Sequence, residues 1–125
     1  MARVTARRIR GEVAHRAGIA AEDIVAGDYA RRGHPTARRR WRGQAGEIDI
    51  IVEDGDGLIF VEVKKADSHA GAAERLSRRQ LDRIHASAGE YLATMPLGQG
   101  TCCRVDVALV DAVGRVEIIE NAGMF

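Results

Sequence analysis

The stretch that decides the fold is residues 46–65, GEIDIIVEDGDGLIFVEVKK. It contains two apolar runs, 47–53 and 58–64, separated by Asp54-Gly55-Asp56-Gly57. Glycine and aspartate in this position supply the positive φ angles that a tight hairpin turn requires. The stretch therefore predicts two antiparallel strands joined by a short turn.

Charged side chains interrupt both of these apolar strands. Because side chains alternate between the two faces of a strand, Glu62 and Lys64 project the same way. On the first strand Asp49 projects from one face, and Ile48 and Ile50 share the other. If the register places Asp49 near Glu62, two carboxylates meet among apolar residues, where one would hold its proton unless a cation is bound.

Paired carboxylates on rigid strands are typical of a divalent-metal site. Mg²⁺ and Mn²⁺ prefer oxygen ligands, and the backbone carbonyl of Val63 is a candidate third ligand beside Asp49 and Glu62. Such a site hydrolyses phosphodiesters by polarising the phosphate and lowering the pKa of a bound water, with Lys64 stabilising the developing charge. The alternative is a pair of solvent-facing acids bridged to Lys64.

The two lysines support a role in chemistry. The chain has seventeen arginines but only Lys64 and Lys65 as lysines, side by side. Arginine recognises planar groups and stays charged, whereas lysine is a compact ammonium whose pKa can be tuned. A lysine at this position indicates that a point charge or proton donor is needed there.

Composition indicates one folded domain, residues 1–125, in which 1–17 form a possible N-terminal helical extension. The apolar content of 46% is ordinary for a globular protein, and no apolar run has the length of a membrane span. The first residues lack the apolar segment of a secretory signal. The adjacent Cys102 and Cys103 are expected to be free thiols of a cytoplasmic protein.

Charge is distributed unevenly along the chain. Residues 1–46 carry eleven arginines against four acids, whereas residues 47–125 carry eight basic residues against fourteen acids. The first third could present a basic face to phosphates, and a solvated arginine-rich surface is the alternative. The candidate nucleic-acid contacts are Arg38, Arg39, Arg40, Arg42, Lys65, Arg75, Arg78, Arg79 and Gln80.

The remaining elements follow from periodicity and stop signals. The sequence predicts a basic helix or tail over 3–16, a pause near Gly18, a helix over 20–32, a strand over Thr36–Arg42, a loop over 68–73, a helix over 73–94, and strands over 102–110 and 115–119. This order describes an α/β protein with a mixed sheet flanked by helices. Trp41 is expected to pack in the core, with stacking on a base as the alternative.

Several motifs together resemble a known family. Asp49 followed by Glu62-Val63-Lys64 is similar to the signature of the PD-(D/E)XK, or restriction-endonuclease-like, nucleases. The wider pattern resembles the uncharacterised bacterial YraN-like proteins, related to archaeal Holliday-junction resolvases, over roughly residues 18–125. The matching segments are Arg40-Trp41-Arg42, Gly46-Glu47-Ile48-Asp49, Phe60-Val61-Glu62-Val63-Lys64, Tyr91-Leu92-Ala93, Arg104-Val105-Asp106-Val107, and Asn121-Ala122 with Phe125.

The resemblance implies a set of roles. Glu22, with Glu12 as the alternative, would join Asp49 and Glu62 as an acidic metal ligand, and Lys64 would be the catalytic base or charge stabiliser. It also implies a restriction-endonuclease-like fold, a Mg²⁺ or Mn²⁺ cofactor, a DNA substrate that includes branched DNA, and a homodimer.

The chain departs from the family pattern in its DNA contacts. Relatives usually carry a basic residue where this chain has Ala66, with Lys65 as a substitute, and often a lysine where this chain has Gln80. These departures keep open a second interpretation, a nucleic-acid-binding or adaptor module that retains the fold without turnover.

The histidines show no ligand spacing. His15, His34, His69 and His85 are scattered along the chain, and each is expected at the surface. Only His69, just past Lys65, is retained as a weak catalytic candidate.

Overall fold

The structure is a computed structural model that describes residues 2–122, with side chains described from residue 16 onward. The elements are α1 (Ala2–Arg31), β1 (Thr36–Arg42), β2 (Glu47–Asp54), β3 (Gly57–Lys65), α2 (His69–Glu74), α3 (Arg78–Leu92), a 3₁₀ turn (Gly98–Gly100), β4 (Cys103–Val110) and β5 (Val116–Ile119).

The five strands form a single mixed sheet in the order β1-β2-β3-β4-β5. All neighbours are antiparallel except β3 and β4, which run parallel with Glu62 opposite Val107. The connection between these two strands carries α2 and α3, as a parallel crossover requires. The predicted mixed α/β sheet flanked by helices is confirmed, and its architecture is consistent with a restriction-endonuclease-like fold.

Helices cover both faces of the sheet. On one face α1 buries Ala21, Val25 and Tyr29 against the strands. On the other face α3 buries Ile84, Ala88 and Leu92, and α2 buries Ala72 against β4. The two apolar faces explain why the central strands read as almost continuous apolar runs.

The predicted hairpin is confirmed, and its turn contains Gly55 with φ 59°. The predicted sharing of one face by Ile48 and Ile50 is wrong. Ile50 packs under α1, whereas Ile48 packs with Ile51 under α3. The β2–β3 ladder ends at Ile50, and the Asp49 side chain beyond it accepts a hydrogen bond from a β3 backbone N–H, so the simple alternation is interrupted.

The helix α1 continues where the sequence predicts a pause. It runs without a break through Gly18 and ends at Arg31, followed by Gly33 with φ 91°. A single glycine inside a helix costs about 1 kcal/mol, too little to end a helix of 30 residues whose later turns pack on the sheet. The predicted stop at Gly33 is confirmed.

Two serines cap the N-termini of the helices that follow β3. The predicted loop over 68–73 is wrong, because the Ser68 hydroxyl caps α2 by accepting a hydrogen bond from Gly71 N–H. The predicted helix over 73–94 is also divided, since Ser77 forms a capping box with Gln80 and starts α3 at Arg78. Serine bonds backbone N–H groups at helix starts, so each serine defines a new N-terminus.

Cys102 and Cys103 are both free, as predicted, and both are exposed. Within residues 2–122, no helix combines the length and the apolar character needed to cross a lipid bilayer.

Candidate active site

Asp49 and Glu62 meet at the open end of the hairpin. Asp49 Oδ2 accepts the backbone N–H of Val63 at 2.8 Å, and the Asp49 and Glu62 carboxyl groups lie close enough for each to change the pKa of the other. Glu62 is only 7% exposed. Two carboxylates this close together repel each other when both are ionised, so their proximity favours the protonated form of one of them.

The electrostatics of this pair agree with its burial. Burial and the neighbouring charge of Asp49 raise the pKa of Glu62 to about 8, although Lys64 and Arg83 oppose the shift. Burial also raises the pKa of Asp49, against the hydrogen bond from Val63. The structure thus brings together two carboxyl groups whose pKa values are raised, unlike those of ordinary surface carboxylates.

Lys64 lies beside the acid pair. Its Nζ is 3.7 Å from Glu62 Oε1, and the side chains are 15% and 9% exposed. The two residues are two positions apart on β3, so they project from the same face as predicted. A compact ammonium at this distance can offset a carboxylate charge or reach a phosphate oxygen nearby.

Glu22 approaches the pair from α1. It is 6% exposed, and its carboxylate accepts two hydrogen bonds of 3.0 Å from the Arg40 guanidinium. Its charge contributes to the raised pKa of Asp49. Glu22 therefore lies near the pair but is engaged by Arg40, and Glu12 lies outside the described side chains.

Arg40 reaches Glu22 from a strained backbone. Its φ is +50°, a left-handed conformation that only Arg40 and Asn121 adopt among the described non-glycine residues. This conformation is costly for a residue with a Cβ and persists where its surroundings impose it. The bidentate ion pair with buried Glu22 supplies such a constraint.

Asp49, Glu62 and Val63 are the residues at the acid pair that could hold a hard cation. Asp49 and Glu62 offer carboxylate oxygens, and the Val63 carbonyl faces the same side as its N–H, toward β2. Magnesium sites in proteins often use one or two carboxylates together with water and substrate oxygens. Among the side chains of residues 16–122, no group of three or more His, Cys, Asp or Glu is arranged to hold a metal ion.

The candidate nucleic-acid contacts lie in different surroundings. Arg39 donates to Asp23 at 2.9 Å, and Arg78 is paired with Asp82 at 3.3 Å. The Gln80 side chain accepts the Ser77 N–H as part of the α3 cap, so it is partly committed to the helix start. The exposed members of the set are Arg38, Arg39, Arg42, Lys65, Arg75, Arg78 and Arg79.

The other aromatic and histidine candidates are in structural contacts. Trp41 is half-buried, packs on Tyr91 with ring centroids 5.2 Å apart and lies against the core cluster under α3, which agrees with the predicted packing role. His34 contacts the carbonyl of Glu53 at 3.0 Å. His69 contacts the Arg115 carbonyl at 2.9 Å and the Glu117 carboxylate at 3.1 Å. His15 lies outside the described side chains.

Arg83 was missed as a site residue by the sequence analysis. Its charge acts on Glu62, and its side chain lies against Gly46, just before β2. Helical periodicity places Arg83 on the polar face of α3, but no local pattern shows that this face meets the loop that leads to Asp49. A contact between residues 37 positions apart is formed only by tertiary packing.

Comparison with known proteins agrees with the family pattern. The family described as "Uncharacterised protein family UPF0102" matches residues 21–110. A UPF0102 protein of Cereibacter sphaeroides is 62% identical over 112 residues, covering 90% of this chain and 96% of that protein. One of Ruegeria pomeroyi is 57% identical over 113 residues, covering 90% and 92%. One of Roseobacter denitrificans is 45% identical over 122 residues, covering 98% and 95%.

These similarities extend over almost the whole chain. The protein therefore belongs to the UPF0102 family, which confirms the YraN-like resemblance at the level of the family.

Proposed function

We propose that this protein is a metal-dependent nuclease of the PD-(D/E)XK superfamily that hydrolyses DNA phosphodiester bonds. The observation that carries the proposal is the meeting of Asp49, fixed by the Val63 N–H, with the buried Glu62, whose Oε1 lies 3.7 Å from Lys64 Nζ. Burying two acids together costs folding free energy, and a site that binds a cation explains why such a cost is retained.

Each residue has a defined task in this proposal. Asp49, oriented by the Val63 N–H, and Glu62 hold Mg²⁺ or Mn²⁺. When bound, the ion supplies charge stabilisation to the phosphate and lowers the pKa of a coordinated water. Lys64 neutralises charge on the phosphate oxygens and orients the attacking water. Glu22, held by Arg40, adds negative charge behind Asp49.

The fold supports the superfamily assignment. A mixed sheet with a central β-hairpin, one parallel crossover through helices, and acids at the open end of the hairpin is consistent with restriction-endonuclease-like proteins. The proposed substrates include branched DNA, and the proposed location is the cytoplasm. A homodimer, in which a twofold axis relates two sites, would allow cleavage of both strands.

The test is cleavage of labelled DNA by the purified protein. A four-way junction, a flap and a plain duplex are incubated with Mg²⁺, Mn²⁺ or EDTA. Glu62→Gln and Lys64→Ala are expected to abolish metal-dependent cleavage, whereas Glu53→Gln, at an exposed acid near the hairpin turn, retains it. Cleavage in EDTA, or full activity of Glu62→Gln, would refute the proposal.

A second candidate is a nucleic-acid-binding module without turnover. The observation that favours it is the double hydrogen bond from Arg40 to Glu22, which engages a carboxylate that the resemblance assigns to the metal. DNA binding that falls steeply with salt, persists in EDTA and is unaffected by Glu62→Gln, without cleavage of any substrate, would select this candidate.

A further inference from the structure

The helix α3 holds the loop that precedes Asp49. Glu90 accepts the N–H groups of Gln44 and Ala45, both at 2.9 Å, and the buried Ser87 donates its hydroxyl to the Gly46 carbonyl at 3.1 Å. Arg83, Ser87 and Glu90 are spaced four and three residues apart, so they lie on one face of the helix. This face of α3 therefore holds residues 44–46 in place, directly before the strand β2 that carries Asp49.

Arg83 occupies the end of that face nearest the acids. A Cβ placed on Gly46 would lie 2.8 Å from Arg83 Cδ and 3.1 Å from its Nε, so the arginine stem rests where a side chain at position 46 would be. Gly46 also has φ +149°, which favours glycine. Gly46, three residues before Asp49 in the sequence, thus leaves room for the Arg83 side chain to lie against the backbone there.

Arg83 differs from the arginine on the opposite face of the sheet. Arg40 gives two hydrogen bonds to Glu22 and is engaged within the protein. Arg83 is an exposed side chain on α3, and its positive charge reaches Glu62. A guanidinium beside a hydrolytic centre, with access to solvent, has the geometry to bind a phosphate group by paired N–H donors.

We infer that Arg83 binds a backbone phosphate of the nucleic acid at the Asp49–Glu62 site. This inference rests on the proposed nuclease function and adds a substrate-binding residue to it. The positive charge of Arg83 attracts the phosphate whether or not a phosphodiester bond is cut, so its role can be measured from DNA binding alone. A purely structural role, in which Arg83 only balances Glu62, would leave the salt dependence of DNA binding unchanged.

The experiment measures DNA affinity by fluorescence anisotropy in EDTA between 50 and 200 mM NaCl, with a labelled flap DNA. Arg83→Ala is expected to reduce the slope of log affinity against log salt by about 0.9, one phosphate contact. Raising NaCl from 50 to 200 mM therefore lowers the affinity of Arg83→Ala by a factor that is about 3.5 times smaller than the factor for the wild type. Arg83→Lys, which keeps the charge, retains the wild-type slope.

The matched control is Arg31→Ala, an exposed arginine at the far end of α1 whose side chain is 73% exposed. It is expected to leave affinity and slope unchanged. A wild-type slope for Arg83→Ala, in protein that retains the wild-type circular dichroism, would overturn the inference even if the wild type cleaves DNA. If the wild type neither binds nor cleaves DNA, the proposed function fails together with the inference.

Discussion

The Asp49 carboxylate accepts a 2.8 Å hydrogen bond from the Val63 N–H where β2 leaves its ladder with β3. In this position Asp49 replaces a ladder hydrogen bond by accepting the Val63 N–H, and Glu62 is buried beside it. The Val63 N–H, which could have bonded to the backbone of β2, orients the Asp49 carboxylate instead. The stability of the protein therefore depends on the ionisation of this pair.

Stability without divalent cations is expected to fall between pH 5 and pH 8. Burial and Asp49 raise the pKa of Glu62 from 4.5 to about 8. The folded state then keeps a proton that the unfolded chain releases near pH 4.5, so this contribution is complete below that pH and is lost as the pH rises through 8. Urea unfolding in EDTA at several pH values measures the effect.

Glu62→Gln is the matched variant for this experiment, because glutamine has the same shape but does not ionise. At pH 8.5 we expect it to be more stable than the wild type by on the order of 3 kcal/mol, and near pH 4.5 to be about equal. A pH profile of Glu62→Gln that runs parallel to that of the wild type would show that another group is responsible.

Divalent cations are expected to stabilise the wild type. At a Mn²⁺ concentration ten times the dissociation constant, binding to the folded state alone adds about 1.4 kcal/mol, which is visible as a higher Tm. Asp49→Asn and Glu62→Gln should lose this shift, whereas Glu74→Gln, at an exposed acid on α2, should keep it. An equal shift in all four proteins would place the cation elsewhere.

At Arg40 we expect the glycine variant to be more stable than the alanine variant. Arg40→Ala leaves the buried Glu22 without its two hydrogen bonds and keeps the strained φ of +50°, so we expect a loss of about 2 kcal/mol. Arg40→Gly loses the same bonds but relieves the backbone, and should be less destabilising by about 1 kcal/mol. Chemical denaturation measures the free energy of unfolding of both variants. A more stable alanine variant would show that the backbone at position 40 is not strained.

Tyr29→Phe tests the link between α1 and β4. The Tyr29 hydroxyl donates to the fully buried Asp106 at 2.7 Å, and Asp106 also accepts from Arg104 and the Asn121 N–H. Removing the hydroxyl should cost about 1 to 2 kcal/mol, because the buried carboxylate loses a donor. Tyr91→Phe is the control for loss of a tyrosine hydroxyl, and equal losses in both variants would argue against a special role for Tyr29.

Local sequence was sufficient for the strands. The bounds of β1, the hairpin and the stop of α1 at Gly33 follow from alternation and turn chemistry over a few residues. The same information placed Glu62 and Lys64 on one face. Residue patterns with a period of two, and glycine at positive φ, depend on neighbours in the chain, so the sequence alone determined them.

Tertiary structure decided the rest. The transfer of Ile48 to the face under α3 and the contact of Arg83 with Gly46 depend on what packs nearby. Glu22 and Arg40 are 18 residues apart, and Tyr29 and Asp106 are 77 apart. The sequence supplied the acids and the lysine, but the folded sheet decided which charges meet, because desolvation and hydrogen bonding act between residues that only packing brings together.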